Sequence, residues 1–291
     1  MSIRIHLEDR TTVRLDDVSL LIAAFLAWAR KARVFVTLWP FISYRGHGVS
    51  DWPLLPVLCR QKLPIEMLKQ YEVEIVERFR SQFGLADWTD MEVMAYARHH
   101  GAPTRLLDWS SNPFVALWFA VSEKRHDGKD GAVFQLHLGD DYSVITFVSG
   151  PPKISAGGDT GWKTPVLVFA SPSRVDRTER QRSVFSLVSF ENNLALQPID
   201  QILLSEKPRP LRKFTIPARL KPELRRLLSD IGLDAYQLYG DPDSLGKSLD
   251  ARLDLSGLKI SMDIPPDDTS PTQAPEQPAG APSDTGNMNG Q

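Results

Sequence analysis

The run His99–Pro113 constrains the fold of this chain more than any other stretch. Apolar residues at helical spacing precede it, and Gly101 stands where a helix commonly ends in a left-handed residue. At its far end, Asn112 suits a helix N-cap and Pro113 suits the first helical position. The sequence therefore predicts two packed helices joined by a fixed loop, Ala102–Ser111, which is rich in reactive side chains.

The remaining elements follow from hydrophobic periodicity, which differs between helices and strands. Long helices come early, most strands come later, and no regular alternation of strand and helix occurs. This order predicts an α+β fold, with helices packed on a mixed, largely antiparallel sheet. The predicted helices are Asp16–Arg33, Ile65–Phe83, Leu220–Ile231 and Leu245–Leu253, and the predicted strands are Val36–Tyr44, Gly131–Leu138, Thr164–Phe169, Ser183–Phe190 and Arg212–Pro217.

Two local patterns carry further expectations. Charged residues of both signs along the second predicted helix indicate a face in contact with solvent; they are Glu66, Lys69, Glu72, Glu74, Glu77, Arg78 and Arg80. The segment Asp51–Arg60 is expected to be a loop whose Trp52 is anchored in the core.

The C-terminal residues differ in composition from the rest of the chain. Residues 262–291 contain six prolines, five acidic residues and no basic residue, with almost nothing apolar. Such a segment cannot bury enough surface to offset chain entropy, so we predict a disordered acidic tail. Residues 1–261, predicted to form a single domain, keep 31 of the 36 acids against 34 bases, a formal charge of +3. This mild charge does not by itself indicate nucleic acid binding and leaves transient contact open.

Cysteine content and hydropathy indicate the compartment. Cys59 is the single cysteine, so the chain can form no internal disulfide or cysteine-rich zinc site. The apolar stretch Leu20–Trp28 is too short to span a bilayer, and the first residues lack a signal-peptide core. We therefore expect a cytoplasmic protein without membrane association.

Three motifs resemble the FRG domain, a family named for its Phe-Arg-Gly triplet and found mostly in bacterial and phage proteins. They are Tyr44-Arg45-Gly46-His47, the segment Asp51–Arg60 and the segment Ala97–Ser110. The resemblance is specific over about residues 41–138 and weaker to about residue 249. This chain has Tyr44 for the usual Phe, His47 and Arg98 for Gln, and Ser183 where the family tends to have Gly. The family implies no settled reaction.

The arginines within these motifs are the main candidates for binding a ligand, because a guanidinium offers a rigid fork of donors to phosphate or carboxylate. A cleft that collects several of them would bind an anion such as a nucleotide or NAD. The architectural alternative pairs Arg105 with Asp108 and buries the other arginines in ion pairs. The candidate ligand-binding residues are Arg45, Arg60, His100, Arg105, Arg177 and Gln181.

His99, Thr104 and Asp108 are the candidate catalytic residues. An imidazole titrates near neutral pH, and Thr104 with Asp108 could orient a substrate or activate water. The alternatives are a helix-end histidine that donates to a carbonyl and an aspartate that caps the second helix. No His-x-x-x-His pair or carboxylate cluster accompanies these residues, so no metal site is predicted.

Two functional hypotheses follow. The first is an enzyme or effector that binds and acts on a phosphate-bearing ligand: a nucleotide, NAD or nucleic acid. The second is a non-catalytic module that binds a nucleotide, nucleic acid or protein in a phage-defence or toxin system.

Tyr-Arg-Gly also looks like the first motif of arginine-type ADP-ribosyltransferases, in which the arginine holds NAD. The Glu-x-Glu pair of such enzymes occurs here only as Glu72-Val73-Glu74, which comes too early in the chain. ADP-ribosyl transfer is therefore kept as an alternative and is not the main hypothesis.

Overall fold

The computed structural model describes residues 3–6, 12–15, 17–31, 41–138, 143, 145–148, 150–158, 164–171, 180–206 and 210–254. Three expectations lie outside these residues: the first part of the strand predicted from Val36, the position of Arg177, and the tail from Met262 onward.

Helices and strands alternate irregularly along the described residues, as the α+β prediction requires. The strands are β1 Ile3–His6, β2 Thr12–Leu15, β3 Phe41–His47, β4 Leu106–Ser110, β5 Gly131–Leu138, β6 Ile145–Val148, β7 Val166–Ala170, β8 Ser183–Val188 and β9 Leu211–Ile216. The α-helices are α1 Asp17–Lys31, α2 Ile65–Phe83, α3 Asp90–His99, α4 Pro113–Val121, α5 Ile199–Ile202, α6 Lys221–Asp230, α7 Ala235–Tyr239 and α8 Pro242–Asp254.

Seven strands form one sheet in the order β6-β7-β8-β4-β3-β5-β9, while β1 and β2 pair separately. Neighbouring strands of the large sheet are antiparallel except β6 and β7, which are parallel. The predicted fold class, helices on a mixed and largely antiparallel sheet, is therefore confirmed.

The sheet is split between β3 and β4. β3 pairs with β5 over its whole length, from Phe41 to His47, and β4 pairs with β8 at each of its residues. Between β3 and β4, by contrast, the ladder consists of the single pair Tyr44 and Ser110. Backbone groups beyond this pair need other partners, because buried unpaired N–H and C=O groups are costly.

Helices cover the two halves of the sheet separately. One core cluster joins α1, α4 and α6 to β3, β5 and β9, with Phe25, Tyr44 and Leu224 among its buried members. A second cluster joins α2 and α3 to β4, β7 and β8, with Met91 and Phe185 at its centre. The split between β3 and β4 therefore lies where the two helical groups meet.

The helix ends that flank the central motif are formed as predicted. Gly101 follows α3 with a φ of +86°, a conformation that glycine adopts without strain. The Asn112 side chain accepts a hydrogen bond from the backbone N–H of Phe114, and Pro113 occupies the first position of α4. Both predicted helix ends are thus confirmed.

The predicted loop Ala102–Ser111 is wrong in its second half, which is strand β4. Leu106 packs into the cluster with α2 and α3, whereas Leu107 and Trp109 pack on the opposite face of the sheet. A strand buried on both faces has no polar–apolar alternation, and a run of five residues is too short for its periodicity to distinguish it from a loop.

Two further expectations are corrected. Glu72, assigned to a solvated face of α2, is fully buried. Trp52, expected in the core, is 39% exposed and packs its ring against His126. Helix α2 and strand β5 agree with the prediction at both ends, and the other elements agree to within a few residues.

Within the described residues, none of the helices has the length and apolar character needed to cross a membrane.

Candidate functional site

A pocket of about 270 Å³ opens at the split between β3 and β4. The ends of α3 and α7, the first half of α4 and the segment before β8 complete its walls. Its lining residues are Tyr44, Arg45, Gly46, Arg98, His99, Gly101, Asp108, Trp109, Ser110, Val115, Ala116, Phe119, Gln181 and Tyr239.

Arg45 bridges the split with its side chain. Its Nη1 donates a hydrogen bond to the backbone carbonyl of Asp108, a group that the interrupted ladder leaves without a strand partner. Its Nε donates to Nε2 of His47 over 3.0 Å. These two contacts fix the plane of the guanidinium, whose side chain is 13% exposed.

Arg98, from the last turn of α3, approaches the Asp108 carboxylate from the other side. Its Nε and Nη2 lie 2.9 and 2.8 Å from Oδ2 of Asp108. Nη1 of Arg45 lies 3.7 Å from the same oxygen. Two guanidinium groups therefore share one carboxylate, which is 31% exposed.

The pKa values show how strongly these charges interact. Burial alone raises the pKa of Asp108, but the guanidinium groups of Arg98 and Arg45 outweigh it, and the pKa lies below its ordinary value. Burial, together with the neighbouring charges of Arg98 and Arg60, lowers the pKa of Arg45 to about 10, although Asp108 opposes this shift. At neutral pH all three groups are therefore charged.

The polar end of the pocket carries surplus positive charge. Arg45 and Arg98 against Asp108 give a formal charge of +1, and Asp108 is the one acidic residue among the described residues that line the pocket. Arg60 does not line the pocket, but its charge is close enough to lower the pKa of Arg45. A partly buried site with unbalanced guanidinium groups is suited to an anion.

Helices α4 and α7 contribute an apolar and aromatic wall. Val115, Ala116 and Phe119 line it from α4, and the ring of Tyr239 lies 6.4 Å from that of Phe119, edge to face. Gln181 completes this side and is 8% exposed. The pocket thus has one charged end and one apolar wall.

Gly46 allows α4 to pack directly on β3 beside the pocket. A Cβ atom at this position would lie 1.9 Å from the backbone oxygen of Ala116 and 2.7 Å from the nitrogen of Ala120. No side chain fits there, so the contact between α4 and β3 requires the glycine of the Tyr-Arg-Gly motif.

The structure brings together four of the nine candidate residues at the pocket: Arg45, His99, Asp108 and Gln181. His99 lies partly buried, with its ring 5.7 Å from that of Phe185. Asp108 does not cap α4, because Asn112 holds that position.

Four others lie away from the pocket lining, and Arg177 is outside the described residues. Arg60 is exposed and donates from Nε to the carbonyl of Leu55. His100 is exposed and its ring packs on Tyr96, with centroids 4.4 Å apart. Thr104 is fully buried, and its hydroxyl has no hydrogen-bond partner among the described residues.

Arg105 is sealed inside the protein. Its Nε and Nη2 donate to the two carboxylate oxygens of Glu72 at 3.2 and 3.0 Å, and both side chains are 0% exposed. The architectural alternative, which paired Arg105 with Asp108, named the wrong partner, because Arg105 forms its ion pair with Glu72. The pairing also places Glu72, of the Glu-x-Glu sequence, away from the pocket.

Sequence reasoning missed Arg98, Phe119 and Tyr239 as pocket residues. Arg98 was noted as a departure from the family pattern, and its basic charge ten residues before Asp108 was a usable signal. Phe119 gave no signal beyond its place in the apolar helix that follows Pro113. No sequence signal links Tyr239 to a motif more than 100 residues earlier.

No group of three or more His, Cys, Asp or Glu side chains suited to a metal ion occurs among the residues that the structure describes. Cys59 is buried, and burial raises the pKa of its thiol to about 12, so it remains protonated at neutral pH.

Comparison with protein families identifies an FRG domain at residues 41–129. The match spans β3 to α4 and includes all pocket residues except Gln181 and Tyr239. Searches among curated proteins and among solved structures found no match.

Proposed function

We propose that this protein, which carries an FRG domain, uses the pocket at the split between β3 and β4 to bind a phosphate-bearing ligand. The observation that carries the proposal is the convergence of Arg45 and Arg98 on the carboxylate of Asp108, inside a pocket whose lining has no second acidic residue within the described part of the chain.

The two arginines keep donors available for a ligand. Their contacts with Asp108 and His47 use Nε and Nη1 of Arg45 and Nε and Nη2 of Arg98. Nη2 of Arg45 and Nη1 of Arg98 have no acceptor among the described residues. A phosphate group could accept from both, because charge-assisted hydrogen bonds from guanidinium to phosphate are strong and directional.

Asp108 supports this arrangement by holding Arg98. With Nε and Nη2 both on one oxygen of Asp108, the guanidinium of Arg98 cannot rotate freely. A donor that is already oriented loses less entropy when it binds a ligand, which increases affinity. The carboxylate therefore orients Arg98 while the second arginine keeps the site positive.

His99 is the pocket side chain best suited to proton transfer near neutral pH. We extend the proposal to an acid–base role for His99 toward the bound ligand, in the reducing cytoplasm that the single Cys59 favours. Thr104 and Arg105 are left out of this mechanism, because neither lines the pocket.

Titration calorimetry of the full chain with inorganic pyrophosphate tests the proposal. Arg45→Gln removes one charge-assisted hydrogen bond, worth roughly 1.5–3 kcal/mol, so affinity should fall about 10- to 100-fold. Arg78→Gln is the matched control, because Arg78 pairs with Glu74 on the exposed face of α2 and should leave affinity unchanged. Equal affinities for wild type and Arg45→Gln would refute the binding role.

Assays of ligand turnover distinguish an enzyme from a non-catalytic binding module. Ligand conversion that His99→Ala abolishes, in a variant that still binds pyrophosphate, would support proton transfer by His99. Binding without conversion of any nucleotide, NAD, RNA or DNA supplied would leave a non-catalytic binding module and exclude the acid–base role.

A further inference from the structure

We infer that the ligand is a nucleoside phosphate, bound with its phosphate at Arg45 and Arg98 and its nucleoside along the apolar wall, where Gln181 accepts a hydrogen bond from it. This inference rests on the proposed function and adds the class of ligand and a residue that selects it.

The unlike ends of the pocket support a ligand that is itself charged at one end and apolar at the other. An inorganic phosphate would fill the space beside Arg45 and Arg98 and leave the wall of Val115 and Phe119 without contact. A flat ring could pack against Phe119 and Tyr239, because aromatic side chains bind ring systems by stacked or edge-to-face contacts. A nucleoside phosphate combines both groups in one small molecule.

Gln181 indicates which polar group the ligand carries on this side. Its Nε2 donates to the backbone carbonyl of Leu238 over 3.3 Å. A carbonyl oxygen can only accept, so the amide nitrogen must face Leu238, and the atom left for the pocket is the acceptor Oε1. No described residue donates to Oε1, although the side chain is 8% exposed.

This acceptor faces the pocket, where a ligand hydroxyl or amine would donate to it. Ribose hydroxyls and the exocyclic amines of bases are such donors. The backbone near Gln181 is also held in place, because the Ser110 hydroxyl donates to the Gln181 carbonyl over 2.6 Å. The acceptor is therefore fixed relative to β4 and the charged end of the pocket.

The size of the pocket limits the ligand. Its volume of about 270 Å³ is just below the roughly 300–1,000 Å³ typical of small-molecule sites. One nucleotide unit fits this space better than a complete dinucleotide. If NAD binds, only one of its two nucleotide halves should be enclosed.

Calorimetry with a graded set of ligands tests the inference on the wild-type chain: pyrophosphate, ribose 5-phosphate and the common nucleoside monophosphates. At least one monophosphate should bind about tenfold more tightly than ribose 5-phosphate or pyrophosphate. Its analogue that lacks the donor, a deoxyribose or a base without the exocyclic amine, should lose about three- to tenfold, as expected for one neutral hydrogen bond.

The variant Gln181→Met tests whether Gln181 is the acceptor. Gln197→Met is the control, because Gln197 is exposed and lies outside the pocket lining. Gln181→Met should weaken the preferred nucleotide about three- to tenfold and leave pyrophosphate unchanged. It should also abolish the difference between that nucleotide and its donor-free analogue, because the two changes remove the same hydrogen bond.

The outcomes distinguish the nucleoside inference from the proposed function. If pyrophosphate binds through Arg45 but no nucleotide binds more tightly, the nucleoside inference is wrong and the anion site stands. If Gln181→Met weakens pyrophosphate and nucleotide equally, the assignment of Gln181 is wrong. If neither pyrophosphate nor any nucleotide binds, the proposed function fails as well.

Discussion

The segment Ala97–Ser110 contributes to two arginine–carboxylate sites in this protein, and they differ in exposure and in charge balance. Arg105 and Glu72 form a pair that is fully buried, whereas Arg45, Arg98 and Asp108 line an open pocket. One acid meets one base in the first site, and one acid meets two bases in the second. The difference shows that identical residue types in a motif can serve the fold or a ligand.

The buried site is saturated. Besides Glu72, Arg105 donates to the carbonyls of Val188 and Gly158, each at 3.0 Å, and its guanidinium stacks 3.7 Å from the ring centre of Phe190. Glu72 also accepts from the backbone N–H of Gly157. With the charges balanced and each nitrogen of the guanidinium bonded, this site has no capacity for a ligand.

The pocket site is unsaturated. Asp108 neutralises only one of the two guanidinium charges, and two guanidinium nitrogens have no acceptor among the described residues. We therefore expect substitutions in the buried ion pair to cost the most stability. Substitutions that disturb the packing or the Asp108 ion pair beside the pocket should cost less, and substitutions at the contacts of Arg45 should act mainly on binding. Four predictions test this division, beginning with the largest expected effect.

Arg105→Met should lower the free energy of unfolding by about 3–5 kcal/mol, because it leaves the Glu72 carboxylate buried without its partner. Urea denaturation followed by circular dichroism measures this change. The double variant Glu72→Met/Arg105→Met should recover most of the loss, since apolar residues can replace a buried ion pair. A double variant as unstable as the single one would contradict the assignment.

Gly46→Ala should destabilise the fold by roughly 1–3 kcal/mol or more, because the added methyl group would overlap the backbone of α4. Gly128→Ala is the control, since a Cβ there meets no atom within 4 Å. A thermal melt of both variants measures the difference. Equal melting temperatures would show that α4 does not pack on β3 as described.

Ionised Asp108 should contribute about 1–2 kcal/mol to the free energy of unfolding, and this contribution should be lost in acid. Its folded-state pKa lies below the ordinary value of 3.8, so its contribution is complete above that value and is lost as pH falls through the folded-state pKa. Asp108→Asn should therefore cost stability at pH 7 and progressively less as the pH falls below 3.8. A cost independent of pH would exclude an ionised Asp108 as the partner of Arg98.

His47→Gln should have the smallest effect on pyrophosphate binding, within about 0.5 kcal/mol or roughly twofold, because an amide oxygen can replace Nε2 as the acceptor for Arg45. His47→Leu should weaken binding more, since it removes that acceptor. Burial, with the charges of Arg45 and Arg60, lowers the pKa of His47 to about 2. His47 should thus stay neutral, and affinity between pH 5 and 8 should show no titration of this group.

The sequence predicted much of the local structure, because caps and periodicity act over a few residues. The ends of α2 and β5, the N-cap at Asn112 and the turn at Gly101 all follow from such rules. Strand β4 escaped prediction because it is short and buried on both faces. Glu72 was misassigned because a charged residue on a polar helix is rarely buried unless a distant residue pairs with it.

The candidate site was less predictable, because it depends on which side chains face each other. Arg105 lies just before β4 and pairs with Glu72 of α2, whereas Asp108 lies within β4 and meets Arg98 and Arg45, so the two residues do not share a site. Arg98, on a helix packed against that strand, can reach Asp108. The sequence indicated an arginine and an aspartate in one motif but not which arginine the aspartate would bind.

Composition, capping and motif spacing by themselves determined the fold class, the FRG domain and the residue types available for binding an anion. The tertiary structure alone decided which arginine charge is neutralised by a carboxylate and which is not. The reason is that electrostatic balance depends on distances of a few ångströms between residues far apart in the chain. It was the interrupted pairing of β3 and β4 that opened the space in which Arg45, Arg98 and Asp108 meet.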